Sequence, residues 1–379
     1  MHAVARQFHV SAAMVCRWVG RTRGKRLDRA AFSSAKPGRA WNRTATQLER
    51  RILEVRRALR DTSVLGEYGA RAIEAELKAQ QAVVPSLATI HRVLARHGAV
   101  DHARRLRRSA PPRGWYLPAV AAGQAELDSF DWIEDLKIAN GPLVQVLTGV
   151  ALWASQADAW AEPSRRTEIV LSRLTGRWQQ LGLPGYAQFD NEAVFQGAHH
   201  VADTVGQVSR LCLALGVTPV FAPPREHGFQ NAIEGFNGLW QAKVWQRHHF
   251  EDFAQLLATS ARYIAAHRAR SATRREHAPA RRPFPPSFQF DANAPLTGTL
   301  IFLRRTDDAG GTHLLGRHFP VAARWAHRLV RAEVDLGAQQ IRFYALRRKD
   351  PVDQPLLNEV SYHREHKPFR GRPWVLHER

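Results

Sequence analysis

The sequence predicts a multidomain α+β protein with helix-turn-helix units at the N-terminus, a central α/β core with a mixed sheet, and a small antiparallel β-barrel at the C-terminus. Three observations support this fold class. Apolar residues recur at helical spacing before residue 100, strands alternate with helices through the middle of the chain, and four short strands follow one another closely after residue 298. The first pattern is typical of small helical modules, the second of a layered sheet and the third of a small barrel.

The net charge of +21 is unevenly distributed along the 379 residues. Residues 1–120 carry 24 Lys and Arg against 8 Asp and Glu, residues 121–250 carry 9 against 13, and residues 251–379 carry 22 against 13. Basic flanks around an acidic centre are typical of a protein whose arms neutralise phosphates and whose core holds cations. We therefore expect double-stranded DNA as the partner.

The bulk composition indicates a soluble intracellular protein. Hydrophobic residues make up 44% of the chain, and the two cysteines, Cys16 and Cys212, do not provide a disulfide framework. No apolar run reaches the roughly 18 residues of a membrane span, and the N-terminus lacks the apolar segment of a signal peptide. We expect a cytoplasmic protein with no membrane partner.

Residues 1–32 are predicted to contain a partial helix-turn-helix. The apolar spacing over residues 3–20 gives two short helices, and Ser11 is positioned to cap the second. Arg17 lies on this second helix, which is the one that enters the major groove in such a motif. Because the sequence begins almost inside the motif, we expect a supporting first helix to be missing.

Residues 47–98 contain three helical segments and predict a second, better-formed helix-turn-helix. Its last segment follows Pro85, with Ser86 as the N-cap. The side chains that this segment offers to DNA are Thr89, Arg92 and Arg96. A plain three-helix bundle is the alternative interpretation. Two such units in tandem on a strongly basic segment favour DNA binding.

Residues 99–120 form a basic linker. The run contains Arg104, Arg105, Arg107 and Arg108. Such a run is suited to follow a phosphate backbone. A solvated linker without a ligand is the alternative.

Residues 121–268 switch from helical to strand character and then alternate. Three strands come first, with the turn pair Asn140-Gly141 between the first and the second. An amphipathic helix over residues 165–182 follows, and a short apolar strand then ends at Asp190. After residue 298 the four closely spaced strands predict the small antiparallel barrel, over residues 298–350.

Three acids of the central region lie within or at the ends of predicted elements. Asp128 lies in the first strand, Asp190 ends the fourth, and Glu234 lies on a following helix. In a sheet of this order the first and fourth strands are neighbours, so the three acids are expected to converge at one edge. Converging carboxylates repel one another unless cations hold them, and hard oxygen ligands select Mg²⁺ or Mn²⁺. Two such ions roughly 4 Å apart support an in-line displacement at phosphorus.

The motifs around these acids resemble those of the DDE transposase and retroviral-type integrase superfamily. Their order is Asp128, then Asp190-Asn191-Glu192, then Asn231-Ala-Ile-Glu234-Gly-Phe-Asn237. The family's second motif has Gly where Glu192 stands, and its third, Asn-Gly-x-x-Glu, is Asn231-Ala-Ile-Glu234 here. The resemblance covers essentially the whole chain. It points to transposases of bacterial insertion sequences, which place helix-turn-helix units before the core and a small barrel after it.

The resemblance implies a fold, a reaction and a set of site residues. Residues 121–268 would be a ribonuclease H-like catalytic core that holds two Mg²⁺ or Mn²⁺ ions through Asp128, Asp190 and Glu234. Asn191, Asn231 and Asn237 would support these acids. The implied reaction is cleavage at the terminal inverted repeats of a transposon, followed by attack of the freed 3′-hydroxyl on target DNA. A homodimer or larger assembly on DNA is expected, at the nucleoid, and the need for a separate helper protein stays open.

The first acid has a competitor. Strand alternation places Glu126, Asp128 and Glu134 on one face and Asp131 and Asp135 on the other. Asp128 is preferred because it lies early in the first strand, where the family places its catalytic Asp. Asp131 is the runner-up.

Two other functions compete with transposition. A domesticated, non-catalytic DNA-binding protein would keep the fold and act as a repressor or architectural factor, and the truncated first motif and Glu192 favour it. A ribonuclease H-like nuclease without strand transfer is the third candidate.

Overall fold

The computed structural model contains two units. The helical unit comprises Met1–Ala58 and Tyr68–Asp101, and the sheet unit comprises Leu59–Glu67 and His102–Arg379. The structure describes residues 1–22, 44–100, 111–139, 141, 143–198, 201–226, 228–364, 369 and 373–376. No helix among these residues is long and apolar enough to cross a membrane.

The helices expected before residue 100 are present. They are α1 (His2–Gln7), α2 (Ala12–Thr22), α3 (Thr46–Thr62), α4 (Ala70–Ala79) and α5 (Leu87–Arg96). Both expected N-caps are confirmed, since Ser11 Oγ accepts from the Met14 N–H at 3.2 Å and Ser86 Oγ accepts from the Thr89 N–H at 3.3 Å. Each such cap stabilises a helix by about 1 kcal/mol. That these helices form DNA-reading helix-turn-helix units stays a prediction.

The sheet unit alternates strands with helices. Its strands are β1 (Leu127–Lys137), β2 (Leu143–Ala151), β3 (Ala157–Glu162), β4 (Tyr186–Phe189), β5 (Thr218–Phe221), β6 (Thr299–Arg305), β7 (Gly311–Leu314), β8 (Arg317–Pro320), β9 (Leu329–Asp335), β10 (Gln340–Ala345) and β11 (Leu356–Ser361). Its helices are α6 (Pro118–Ala121), α7 (Thr167–Leu181), α8 (Ala193–Gln196), α9 (Gln207–Ala214), α10 (Asn231–Trp240), α11 (Phe253–Arg270) and α12 (Ala272–Glu276). A π-helical turn, Gln241–Trp245, continues α10.

The strands form one large mixed sheet, consistent with a ribonuclease H-like core. The order is β11-β10-β9-β6-β5-β4-β1-β2-β3, and β7 and β8 form a separate pair. The first three strands are antiparallel neighbours, as expected, while β1 pairs with β4, β4 with β5 and β5 with β6 in parallel. The expected adjacency of the first and fourth strands is therefore confirmed.

Three of the strands within residues 298–350, where a separate barrel was expected, instead extend this sheet: β6, β9 and β10. In β6, Ile301 and Phe302 pair with Val220 and Phe221 of β5. β9, β10 and β11 then continue the sheet beyond β6. The physical reason is that β5 offers an edge with unpaired backbone groups, and a strand that pairs with it satisfies them. Of the four predicted strands, three correspond to β6, β9 and β10, the second is the β7–β8 hairpin, and β11 lies beyond the predicted range; the expected barrel is not confirmed.

A ladder of phenylalanine rings joins four parallel or adjacent strands on one face of the sheet. The ring centroids of Phe130 and Phe189 lie 5.6 Å apart, those of Phe189 and Phe221 6.2 Å, and those of Phe221 and Phe302 5.0 Å. All four side chains are buried. The packed rings therefore couple β1, β4, β5 and β6 into one core, against which α7 and α9 pack.

Candidate functional site

The register between β1 and β4 determines which acids meet. Asp128 stands opposite Ala187 and Ser129 stands opposite Gln188 in this parallel pair. Continuing the register by two residues brings Asp131 level with Asp190, at the carboxyl end of β4. Neighbouring strands lie about 4.8 Å apart. The register therefore brings Asp131, rather than Asp128, next to Asp190.

Asp128 points to the opposite face of the sheet, where two arginines surround it. Its Oδ2 accepts from Arg177 Nε at 3.1 Å and from Trp178 Nε1 at 3.2 Å, and Arg281 binds the same carboxylate. The residue is fully buried. Burial acts to raise the pKa of Asp128, but the charges of Arg177 and Arg281 outweigh it and hold the pKa well below its usual range.

This geometry separates Asp128, the preferred candidate for the first acid, from Asp190, and it favours Asp131 for that role. Both carboxylate oxygens of Asp128 accept hydrogen bonds from buried arginine side chains, so they are occupied by an ion pair. Asp131, the runner-up, is the acid of β1 that shares a neighbourhood with Asp190 and Glu234. The sequence did carry one signal for this choice, because Asp128 alternates in phase with the bulky apolar Phe130 and Trp132.

The carboxylates around Asp131 repel one another. Burial and then the charges of Asp190, Glu234 and Glu134 raise the pKa of Asp131 to about 7, against an opposing hydrogen bond from the Trp132 backbone. Burial also raises the pKa of Asp190. A carboxyl group that is partly buried among negative charges is stabilised by a bound cation, because the cation removes the repulsion.

Helix α10 carries Glu234 and two of the asparagines that are expected to support the acids, Asn231 and Asn237. Asn237 lies one helical turn after Glu234, and its Nδ2 donates to Asp131 Oδ2 at 2.8 Å. Asn237 Oδ1 in turn accepts from Thr148 Oγ1 of β2 at 2.7 Å. Asn237 therefore fixes the Asp131 carboxylate from the helix. Asn231 is exposed at the start of α10.

Asn191 supports the acids from the other side, through the strand edge. Its Nδ2 donates to the Ala222 carbonyl at 2.5 Å, and its Oδ1 accepts from Arg304 Nη2 at 2.8 Å. Arg304 is buried, and this burial lowers its pKa to about 10. Asn191 and Arg304 thus tie the end of β4 to β5 and β6, which holds Asp190 in place. Arg304 is a positioning residue that the sequence analysis did not identify.

Glu192, which stands where the family has glycine, forms a salt bridge with the side chain of Arg165. Its carboxylate binds Arg165 at 3.0 Å, and Arg165 also binds Glu134. The backbone N–H of Glu192 donates to Asp190 Oδ1 at 3.0 Å. Burial and the charge of Asp190 raise the pKa of Glu192 to about 7, although Arg165 opposes them. The extra acid is thus paired with Arg165 beside the cluster.

The donor set fits a hard divalent cation, although the side chains have not converged on one point. Asp131, Asp190 and Glu234 supply only carboxylate oxygens, which are the ligands of Mg²⁺ and Mn²⁺. No group of three His, Cys, Asp or Glu side chains within the described residues is arranged to hold a metal ion as it stands. Instead, the Asp131 carboxylate accepts a hydrogen bond from Asn237, and the Asp190 carboxylate accepts one from the Glu192 backbone.

The predicted DNA-contacting residues of the helical unit differ in exposure and in the partners that their side chains bind. Arg17 on α2 and Arg92 on α5 are exposed. Arg92 donates to the Ala88 carbonyl at 3.2 Å and to Thr89 Oγ1 at 3.3 Å, both neutral partners. Arg96 instead binds Glu49 of α3. Arg104, Arg105, Arg107 and Arg108 lie outside the described residues.

No protein-family model matches the sequence, and no curated protein matches it. Among solved structures, the chain is similar to the simian T-cell lymphotropic virus intasome in complex with PP2A regulatory subunit B56 gamma. The identity is 13% and the TM-score 0.35, over 68% of this chain and 87% of that one.

Two catalytic core domains are also similar. For the BIV integrase core the identity is 15% and the TM-score 0.28, over 37% of this chain and 81% of that one. For the HTLV-2 integrase core in complex with magnesium the identity is 12% and the TM-score 0.25, over 37% of this chain and 75% of that one. These three structures are thus an intasome and two integrase catalytic cores. At these identities and TM-scores the likeness is too remote to support an argument, so function is argued below from the geometry of the chain itself.

The buried ion pair predicts a stability loss on substitution of Asp128. Asp128→Asn leaves Arg177 and Arg281 without this charge partner, and we expect the free energy of unfolding to fall by about 3 kcal/mol. The lowered pKa of Asp128 means that the carboxylate stabilises the fold above the unfolded pKa of about 4 and loses this effect as pH falls towards the folded pKa. Urea unfolding at pH 7 and pH 3 measures both effects.

The matched control for this substitution is Asp308→Asn, because the Asp308 side chain is 96% exposed. It should change the free energy of unfolding by less than about 0.5 kcal/mol. Equal effects of the two substitutions at pH 7 would contradict the role given to Asp128.

The raised pKa of Asp131 predicts the opposite effect for Asp131→Asn. In metal-free buffer the unfolded chain releases this proton near pH 4, whereas the folded chain keeps it until about pH 7, so wild-type stability falls across this window. The asparagine variant escapes this loss and should be more stable than wild type at pH 8 by on the order of 2–4 kcal/mol. Urea unfolding with EDTA between pH 4 and pH 8 tests this, and a difference that does not change with pH would contradict it.

Proposed function

We propose that the protein is a transposase or integrase of the insertion-sequence type, which nicks DNA ends and joins them to a target. The observation that carries the proposal is the meeting of Asp131 and Asp190 at one level of two parallel strands, with Glu234 near them on α10. An acidic cluster at the carboxyl end of a strand, within a chain of net charge +21, suits metal-dependent chemistry on a phosphate backbone.

Asp131, Asp190 and Glu234 would hold two Mg²⁺ or Mn²⁺ ions. When bound, such ions activate a nucleophilic oxygen and stabilise the leaving oxygen of an in-line displacement. The chain's own residues orient the ligands. Asn237 fixes the Asp131 carboxylate, and the Arg304–Asn191 pair fixes the strand end that carries Asp190.

The helical unit is proposed to recognise the DNA ends. Arg92 is the base-reading candidate on α5, because its guanidinium is exposed and binds only neutral groups in the hydrogen bonds described above. Arg96 is proposed instead to fix α5 to α3 through Glu49. Because two active sites must reach two DNA ends, we propose that the protein acts as a dimer or a larger assembly on DNA.

The domesticated, non-catalytic DNA-binding protein is the second candidate. The observation that favours it is the Arg165 side chain, which binds Glu134 and Glu192 beside the acids and adds a positive charge where cations would bind. Metal binding separates the two functions, since a repressor or architectural factor does not need it. A nuclease without strand transfer is separated by the absence of joined products.

Substitution of the three acids should abolish nicking. Asp131→Asn, Asp190→Asn and Glu234→Gln each replace an anionic metal ligand with a neutral amide, and we expect at least about a thousandfold loss of nicking and joining. Asp128→Asn, measured at a temperature where it stays folded, should keep most of the activity. The assay follows nicked and joined products from terminal inverted repeats with Mg²⁺ or Mn²⁺. A loss in Asp128→Asn with full activity in Asp131→Asn would reverse the assignment.

Metal binding should stabilise the wild-type fold. A cation that binds only the folded chain raises stability by about 2.7 kcal/mol at one hundred times its dissociation constant. We therefore expect Mn²⁺ to raise the midpoint of thermal unfolding of wild type and of Asp128→Asn by several degrees, but not that of Asp131→Asn or Glu234→Gln. An equal rise in all four proteins would show that the ions bind elsewhere.

Arg92→Ala should weaken binding to cognate ends by about 1–3 kcal/mol and narrow the difference from random DNA. Arg17→Ala is the comparison on the other predicted motif. Binding isotherms on cognate and scrambled ends at two salt concentrations measure both effects. If Arg92→Ala weakened both DNAs equally, Arg92 would be a phosphate contact and not a base reader.

A further inference from the structure

A cavity of 460 Å³ lies beside the acidic cluster, on the same face of the sheet. Ser129 of β1 and Gln188 of β4 line it, and each lies two residues before one of the acids, Asp131 and Asp190. Residues two apart in a strand share a face and lie roughly 7 Å apart. On α10 the cavity is lined by Asn231 and Gly235, on either side of Glu234. The cavity is therefore adjacent to all three acids.

Gln188 presents an unsatisfied amide to this cavity. The side chain is fully buried, and its Oε1 lies 3.1 Å from Ser129 Oγ and 3.0 Å from Tyr116 Oη. Tyr116 has one hydroxyl proton, and the Phe229 carbonyl lies closer to it, at 2.7 Å. Turning the amide over would pair the Gln188 nitrogen with Tyr116 and leave the oxygen unsatisfied instead. Either orientation leaves Gln188 with one polar atom that has no partner among the described residues.

Two more residues of the cavity lining carry buried polar atoms without partners among the described residues. The atoms are Gln230 Nε2 and His267 Nδ1, so the cavity lining accounts for three of the six such atoms in the described part of the chain. A buried polar group without a partner is destabilising, and a ligand with polar atoms would supply partners if it reached these residues.

The walls of the cavity are aromatic, and arginines lie along its border. The ring of Phe229 lies 5.6 Å from that of Trp115 and 5.1 Å from that of Tyr116, and Phe236 completes the apolar lining. Arg113 and Arg274 also line the cavity, and both are exposed. A ligand with flat faces, a polar edge and an anionic group at the solvent side fits these three features, and a nucleotide has them all.

We propose that this cavity takes one unpaired base of the DNA strand, from a nucleotide next to the phosphate at the acids. The identity of the ligand as DNA rests on the proposed function. The two-residue step from Ser129 or Gln188 to the acids spans roughly 7 Å, which is about two stacked steps of 3.4 Å on one strand, or one nucleotide that has left the stack. Stacking on the aromatic walls and hydrogen bonds to the base edge would replace the lost pairing.

Two glycines of α10 provide a matched pair of variants. A Cβ added at Gly235 or at Gly238 meets nothing within 4 Å, so either position accepts a side chain. Gly235 lines the cavity, whereas Gly238 is not part of the lining. Gly235→Leu should therefore fill the cavity, and Gly238→Leu should leave it open. Both replace a helical glycine with a better helix former, so their effects on stability should match.

The probe is a DNA duplex with one 2-aminopurine opposite an abasic site. The control is the same duplex with a second abasic site in place of the 2-aminopurine. The full-length protein carries Asp190→Asn, so that the DNA is not cut. We expect the duplex with the unpaired base to bind at least about tenfold tighter, with a change in 2-aminopurine fluorescence. Gly235→Leu should reduce the preference to within about twofold, whereas Gly238→Leu should keep it.

Equal affinity for the two duplexes, or an unchanged preference in Gly235→Leu, would overturn the proposal. Gln230→Met, which removes a polar atom without filling the cavity, supplies a second test and should weaken the preference about threefold or more. If it has no effect on the preference, the polar lining does not read the base. Binding and nicking are measured in separate assays, so the two proposals can fail separately. Base capture combined with no nicking by the wild-type protein would refute only the proposed function, and nicking combined with no base preference would refute only the cavity's role.

Discussion

The parallel pairing of β1 with β4 is the constraint on which the rest of the site depends. Asp128 opposite Ala187 sets the register, and the register brings Asp131 level with Asp190. A shift of one residue would turn every side chain of β1 to the other face and separate these two acids. The phenylalanine ladder opposes such a shift, because Phe130 of β1 packs on Phe189 of β4 at 5.6 Å. The packing of one face thus determines the chemistry of the other.

Two aspartates only three residues apart acquire opposite electrostatics from this arrangement. Asp128 faces Arg177 and Arg281, which keep it ionised in a fully buried position. Asp131 faces carboxylates, and their charges together with burial raise its pKa to about 7. The first environment is complete as it stands and stabilises the fold. The second is incomplete without a positive charge, which is the property expected of a cation-binding group.

Local sequence patterns predicted most of the helices and strands. The pairing of strands that are distant in the sequence was harder to predict. The capped helices, the short strand before Asp190 and the adjacency of the first and fourth strands all follow from periodicity and connection order. The sequence did not show that Asp131 rather than Asp128 lies level with Asp190, because this depends on the register with β4, which lies more than fifty residues further along the chain. The expected barrel is not confirmed for the same reason, since the pairing of β6 with β5 joins segments that are distant in sequence.

The two faces of β1 and β4 divide stability from function. On one face the rings of Phe130 and Phe189 pack in the core and the Asp128 carboxylate is paired with Arg177, and both interactions stabilise the sheet. On the other face Asp131 carries a raised pKa and Gln188 an amide atom without a partner in the described structure, so this face is destabilised in the absence of ligands. Proteins retain such unsatisfied groups where binding later compensates them. Because side chains alternate along both strands, Asp128 and Asp131 face different surroundings although they are only three residues apart.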